Sequence, residues 1–227
     1  YRFGVTNIPN YNPATNTPTN PDTYAGYYGL YNQLGRISDA DMRKYYLANL
    51  ACLDDNIGRL LDHLDTLELA DDTVIIFFGD NGGSPLTGAN NSPLAGSKYN
   101  LFEGGIRVPF MVRWPGRLPA GTTYPHPVST LDVMPTCLEL AKAKYPASFA
   151  GFRLTPVAGR SLVPILRGQS RRADVLFWEH EGNRAVRDGK WKLVSRYAGR
   201  GDPGPWELYD IEADRTEMND LAARFPV

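Results

Sequence analysis

The sequence predicts an α/β chain: a partial sheet with flanking helices over residues 1–158, then a small antiparallel α+β subdomain over 159–227. Three observations predict it. A long stretch of three- and four-residue apolar spacing precedes two short apolar runs, the alternation of helix and strand that builds α/β layers. From about Gly159 short strand-like pieces take over, with the hairpin signal Asp188-Gly189 between two of them. The length of 227 residues suits one or two domains with a real core.

Residues 1–37 are rich in Asn, Pro, Thr and Tyr and are expected to be irregular, as if cut from something longer. Ser38-Asp39-Ala40-Asp41 is an N-cap with an acidic first turn. Tyr46, Leu50, Leu53, Ile57, Leu60, Leu61 and Leu64 then mark one face of a helix to about Leu67, leaving Asp54, Asp55, Arg59 and Asp62 to water. Val74-Ile75-Ile76-Phe77-Phe78 suits a strand buried on both faces, as in a parallel sheet. It ends at Gly79-Asp80-Asn81-Gly82-Gly83, and Val108 to Trp114 forms the next strand. Leu131 to Ala141 is a helix that tolerates Pro135 near its first turn. Strands follow at Val175–Trp178, Arg184–Arg187, Trp191–Val194 and Glu207–Asp210, and an acidic helix at Thr216–Ala223 closes the chain.

Composition narrows the function. Lys plus Arg (24) almost cancels Asp plus Glu (25), so the net charge of −1 gives no general pull toward nucleic acid or anionic membrane, and anion binding must be local. With 22 glycines and 18 prolines the chain is loop-rich, yet 11% aromatic residues exclude a disordered polymer. No apolar run reaches the ~18–20 residues of a membrane span. Two cysteines, Cys52 and Cys137, build no disulfide framework and are expected as packed thiols. The opening Tyr1-Arg2-Phe3-Gly4 has neither Met nor a signal-peptide layout, which leaves the compartment open.

Candidate chemistry collects after the Val74–Phe78 run. In open α/β sheets ligands bind beyond the carboxyl ends of strands, where Asp80 and Asn81 stand. A carboxylate beside an amide oxygen offers hard donors that suit Ca²⁺ or Mg²⁺, the alternative being a plain Asx-Gly turn. Lys98, 18 residues on, would neutralise a tetrahedral oxyanion as a compact point charge. Glu103 and Arg107 are expected to tie down the glycine turn between them, and the Arg-rich piece 167–172 to form an exposed basic loop.

At these residues the chain resembles the type I, formylglycine-dependent sulfatases of the alkaline-phosphatase-like superfamily. The resemblance runs in order through Leu53-Asp54-Asp55-Asn56-Ile57-Gly58-Arg59, Asp80-Asn81-Gly82-Gly83, Lys98 through Pro109, Leu131 through Thr136, Gly159-Arg160-Ser161-Leu162, Arg184 through Leu193 and Glu207 through Asp210. It covers roughly the second half of such an enzyme. It implies the alkaline-phosphatase-like sulfatase fold and hydrolysis of sulfate monoesters by a formylglycine, with one Ca²⁺. The substrate implied is a sulfated small molecule or carbohydrate. Asp80 and Asn81 resemble the second pair of calcium ligands, and Lys98 the sulfate-binding, catalytic lysine. An Asn at position 81 speaks against the two-zinc phosphatase relatives, which place a His there.

The departures are specific. Neither cysteine, nor any serine, lies in the Cys/Ser-x-Pro/Ala-x-Arg motif that yields formylglycine, and the first acidic metal pair is absent. These 227 residues alone are therefore expected to be inactive, with the N-terminal part of the same protein as the partner that the resemblance implies. Asn16-Thr17-Pro18 is the nearest counterpart of the family's His-x-Pro. Of the three histidines, His63 is expected at a helix end and His126 in a loop, while His180 is the one candidate to line a substrate cleft. Two alternatives remain: a truncated pseudoenzyme or binding module, and a phosphate or phosphonate ester hydrolase of the same superfamily.

Overall fold

The computed structural model describes residues 11–12, 17–18, 39–171, 174–197 and 204–225. Contacts divide the chain into two units, residues 1–70 with 78–110 and residues 71–77 with 111–227.

In the first unit, β1 (Tyr11–Asn12) and β2 (Thr17–Pro18) pair antiparallel. The long apolar periodicity becomes the 28-residue helix α1 (Asp39–Thr66). The expected cap Ser38 lies outside the described residues. Asp54, Asp55, Arg59 and Asp62 are exposed as expected, but so are Leu50, Leu53 and Leu60 of the apolar stripe. Cys52 is also exposed and free, which corrects the expected packed thiol: the face that carries it has no covering layer among the described residues. Arg43 donates to the Gly88 carbonyl at 2.7 Å and ties the start of α1 to the loop after β3.

Strands β3 (Ile75–Phe78) and β4 (Phe110–Arg113) form a two-stranded sheet. Phe78 and Phe110 stack at 5.5 Å. The expected burial of β3 on both faces is not met: its residues are half-buried, and Phe77 is exposed. With β4 as its neighbour among the described strands, β3 lacks the flanking layers that such an apolar run suits. The buried residues of the first unit, among those described, are instead Gly82 and Leu101 to Gly105, the latter leading into the short helix α2 (Glu103–Ile106).

The second unit holds α3 (Val133–Leu140), entered through a 3-10 turn at Thr130–Asp132 with a Ser129/Asp132 capping box. It ends where Ala143 N–H reaches back to Leu138 O (2.9 Å) with Lys142 in the left-handed region, a Schellman closure made here without glycine. Cys137, on α3, is exposed and free, again against expectation. Next come the hairpin β5 (Ser148–Phe149) and β6 (Phe152–Arg153), and α4 (Val163–Leu166).

Asp132, inside the Leu131–Thr136 motif, is the hub that joins these pieces. Its carboxylate accepts from Ser129 N (3.0 Å), Arg160 N (2.8 Å) and the Arg171 guanidinium (2.8 Å). The Thr136 hydroxyl donates to Asp132 O and accepts from Leu162 N at 2.8 Å, so the Gly159–Leu162 motif is docked onto α3. A Cβ on Gly159, at φ 81°, would run into the Leu131 carbonyl. Arg171 is only 11% exposed, so the expected basic loop at 167–172 is corrected in part: Arg171 is an internal counter-ion, whereas Arg167 is exposed.

The antiparallel subdomain is a four-stranded sheet in the order β10-β9-β8-β7, from β7 (Leu176–His180), β8 (Asn183–Asp188), β9 (Trp191–Ser195) and β10 (Trp206–Asp210). The hairpin that Asp188-Gly189 predicts forms between β8 and β9, with its turn one residue on, at Gly189-Lys190, because Asp188 pairs with Trp191. Register places Ala185, Val194, Lys192 and Tyr209 on one face, and all four are buried. Lys192 meets Glu217 at 2.7 Å, both fully buried.

The expected helix at Thr216–Ala223 does not form. Asp214 accepts from Met218 N (2.8 Å) and Asn219 N (2.7 Å), and Asp220 from Leu208 N and Ala222 N (2.9 Å each). These short carboxylates satisfy the backbone in a loop, where Glu217 adopts φ 55°, and only a 3-10 turn at Ala222–Arg224 remains.

Candidate functional site

The Asp80 loop is built by backbone. It leaves β3 at Gly79, whose N–H donates to Pro109 O (3.2 Å), and Gly82 N–H donates to Gly105 O at 2.8 Å. Gly82 is buried, and a Cβ there would strike the Gly104 carbonyl. Gly104 N–H in turn donates to Ala95 O at 2.6 Å. The two glycine pairs of the sequence are thus one contact: two main chains touching where no side chain fits.

Gly83 joins this loop to the lysine segment. Its carbonyl accepts from Lys98 N (3.3 Å) and from Asn91 Nδ2 (2.7 Å), while its N–H donates to Asn91 Oδ1 (2.9 Å). Asn91 therefore grips one residue by both its main-chain groups, as a neighbouring strand would. Sequence reasoning missed it, because one Asn among several in a polar loop carries no distinguishing signal.

Asp80, Asn81 and Lys98 fall within one unit, and main-chain bonds join the loop of the first two to the third. Asp80 is exposed, and its Oδ1 accepts from Asn81 N at 2.9 Å. The Asn81 amide nitrogen donates to Gly82 O at 2.9 Å, which turns its Oδ1 away from that carbonyl. Among the described residues Asp80 Oδ2 and Asn81 Oδ1 have no hydrogen-bond donor, leaving a hard oxygen uncommitted on each of two consecutive residues. The Lys98 ammonium lies 5.2 Å from the centre of the Tyr99 ring and forms no ion pair among the described residues. Tyr99 is held at φ 81°, a left-handed conformation costly for a bulky residue and one that often marks sites.

Glu103 and Arg107 do as expected: they pair at 3.2 Å across one turn of α2, with Glu103 buried, and brace the glycine contact. His180 ends β7 in the other unit, exposed, its carbonyl accepting from Asn183 Nδ2 at 3.0 Å. His63 sits in the last turn of α1, and His126 packs edge-on against Tyr124. Asn16 lies outside the described residues.

The oxygen-only chemistry of Asp80 and Asn81 fits a hard cation. No group of three or more His, Cys, Asp or Glu that could hold a metal exists among the described residues, so the pair offers two of the six to eight oxygens Ca²⁺ takes.

Comparison with known proteins places this arrangement. Residues 10–143 match the family described as Sulfatase, and residues 97–225 the one described as N-sulphoglucosamine sulphohydrolase, C-terminal. A choline-sulfatase of Rhizobium meliloti (strain 1021) is 36% identical over 189 residues, covering 79% of this chain and 33% of the relative. The chain thus spans about a third of that relative's length. Among solved structures, Ps i-CgsB in complex with k-i-k-neocarrahexaose superposes with a TM-score of 0.68 at 32% identity, covering 81% of this chain and 40% of that one. A chain solved with its substrate D-glucosamine-2-N,6-O-disulfate gives a TM-score of 0.56 at 25% identity, covering 87% and 41%. These matches bear out the alkaline-phosphatase-like α/β fold expected from the sequence, here with antiparallel sheets. The ordered motifs, the glycine-built loop and both family matches agree: the chain belongs to the sulfatase family.

Proposed function

We propose that the chain forms one side of a site that hydrolyses sulfate monoesters, with Asp80 and Asn81 as ligands of a single Ca²⁺ and Lys98 as the sulfate-binding cation. The observation that carries the reading is the pair of uncommitted oxygens at Asp80 and Asn81, on a loop whose Gly83 carbonyl holds the backbone of Lys98. A bound calcium ion would supply fixed positive charge to the sulfate oxygens and to the nucleophile. Lys98 neutralises part of the sulfate charge as a point charge and holds the group in place. Asn91 and the Gly82–Gly104 contact fix the loop, so that little reorganisation is needed when the anion arrives.

The nucleophile, a formylglycine, belongs in this proposal to sequence outside these 227 residues, since neither cysteine lies in the required motif. The substrate is a sulfated small molecule or carbohydrate, in keeping with the choline-sulfatase relative and the neighbour solved with a disulfated amino sugar. His180, on the antiparallel subdomain, is kept in this reading as a candidate substrate contact only.

In the full-length protein, Asp80→Ala is expected to remove the calorimetric heat of calcium binding and to lower aryl-sulfate hydrolysis by about 10–100-fold or more. Lys98→Ala should lower kcat on the order of 100-fold with calcium binding kept. Turnover by the isolated 227-residue chain, abolished by Lys98→Ala, would overturn the assignment of the nucleophile. Two zinc ions in place of one calcium would move the reading to a phosphate or phosphonate ester hydrolase. Sulfate binding without turnover in the full-length protein would make it a binding module, the reading that the motif-free cysteines favour.

A further inference from the structure

The second unit carries a local charge that the net value conceals. From Leu140 to Ala173 there is no Asp or Glu, while seven Lys and Arg occur. Arg160 pairs with Asp174, and Arg171 with Asp132. Lys142, Lys144, Arg153 and Arg167 are exposed, with no acidic partner among the described residues. Between these cations stands the β5–β6 hairpin. Its two-residue turn, Ala150-Gly151, has φ 48° and 85°, and a Cβ added to Gly151 meets nothing within 4 Å, so the tip is open.

Phe149 and Phe152 face each other across this turn, and directly opposed residues share one side of a hairpin. They are 72% and 76% exposed, among the most exposed large apolar residues of the chain. Arg153 pairs with Ser148 on the opposite side, and Leu154 N–H closes the ladder on Ala147 O at 3.0 Å. The hairpin thus has an uncharged tip, Ser148-Phe149-Ala150-Gly151-Phe152, an apolar side, Arg153 at its base, and Lys142 and Lys144 shortly before it along the chain.

We infer that this hairpin is a wedge that docks the protein on an anionic lipid surface. Two phenyl rings at an open tip enter the boundary between headgroups and acyl chains, while Lys142, Lys144 and Arg153 remain among anionic headgroups. The tip argues for lipid over a polysaccharide: one Ser hydroxyl is its whole side-chain hydrogen-bonding capacity, whereas a sugar is read through several polar groups beside the ring it stacks on. The inference is independent of the sulfate site, which lies in the other unit.

The test is co-sedimentation of the full chain with phosphatidylcholine vesicles with and without about 30% phosphatidylserine, the lipid class that attracts Lys and Arg. Binding to the anionic vesicles, weakened by salt, is expected. Lys142→Gln, Lys144→Gln and Arg153→Gln together should weaken it on the order of 100-fold. Phe149→Ser with Phe152→Ser should weaken it at least as much, with the circular dichroism spectrum unchanged because both rings are exposed. A Phe149→Trp reporter should shift its emission to the blue on the anionic vesicles. Failure of the wild type to sediment, equal binding by the double-Ser variant, or an unmoved Trp emission each overturns the proposal. So does loss of self-association or of dextran-sulfate binding on removing the rings, with vesicles ignored: the tip is then a protein or polysaccharide contact.

Discussion

Asp80 and Asp132 show what separates a carboxylate with an oxygen to spare from a saturated one. Asp132 is 2% exposed, and its two oxygens accept from three donors, one of them a half-buried guanidinium. Asp80 is exposed and accepts one bond, from its neighbour's N–H, which leaves an oxygen to spare. Both follow an apolar residue or glycine in a short motif, and nothing in the letters tells them apart. The difference lies in saturation. A fully bonded carboxylate fixes the fold, and one with spare lone pairs beside an amide oxygen can hold an ion.

That contrast is open to direct attack. Asp132→Ala strands Arg171 in a mostly buried place and frees the peptides at Ser129 and Arg160, so the largest loss is expected there, about 3–5 kcal/mol. Asp80→Ala should stay within about 0.5 kcal/mol of the parent. Urea unfolding of the two variants measures both; equal losses would erase the distinction.

Next is Gly82→Ala, which forces a methyl group into the Gly104 carbonyl and should cost about 3 kcal/mol. It should also weaken calcium binding in the full-length protein through displacement of Asp80, whereas Gly116→Ala, where a Cβ has open space, should leave calcium binding intact.

The smallest effect concerns acid. Burial would raise the carboxyl of Asp214, but bonds from Asn219 N–H, the Thr216 hydroxyl and Met218 N–H outweigh it and hold it below the usual 3.8. Asp210 is held low by the Lys190 ammonium. A depressed folded value means that the stabilisation is complete above the unfolded value near 3.8 and is lost as pH falls through the folded one. The urea midpoint should therefore drop below pH 4. Asp214→Asn should flatten part of that drop, and an unchanged slope would show that these bonds contribute nothing to folding.

The legible parts of the chain were those written in local code. The spacing from Tyr46 to Leu64 became α1, and Asp188-Gly189 signalled a hairpin whose turn the sheet places one residue on, at Gly189-Lys190. Asp80, Asn81 and Lys98 could be singled out because their types carry chemistry and a glycine-rich loop surrounds them. Asn91 could not, since its role depends on a peptide eight residues away. The failed helix at Thr216–Ala223 was likewise decided from outside: Leu208 N–H takes Asp220, and Lys192 takes Glu217. Arg171 looked like surface charge because its partner stands 39 positions earlier. Cys52 and Cys137 stand on apolar faces by periodicity yet are exposed, because periodicity says which side is apolar without saying what covers it.

The seam where Gly82 meets Gly104 has one more consequence. Side-chain contacts can be tuned by degrees, a methylene at a time, but two peptides in direct touch have no such dial. Selection for heat resistance should therefore rework helix surfaces and turns elsewhere and return both positions unaltered. Under the calcium reading proposed above, affinity for the ion should likewise prove adjustable through the ligand side chains and not through this seam.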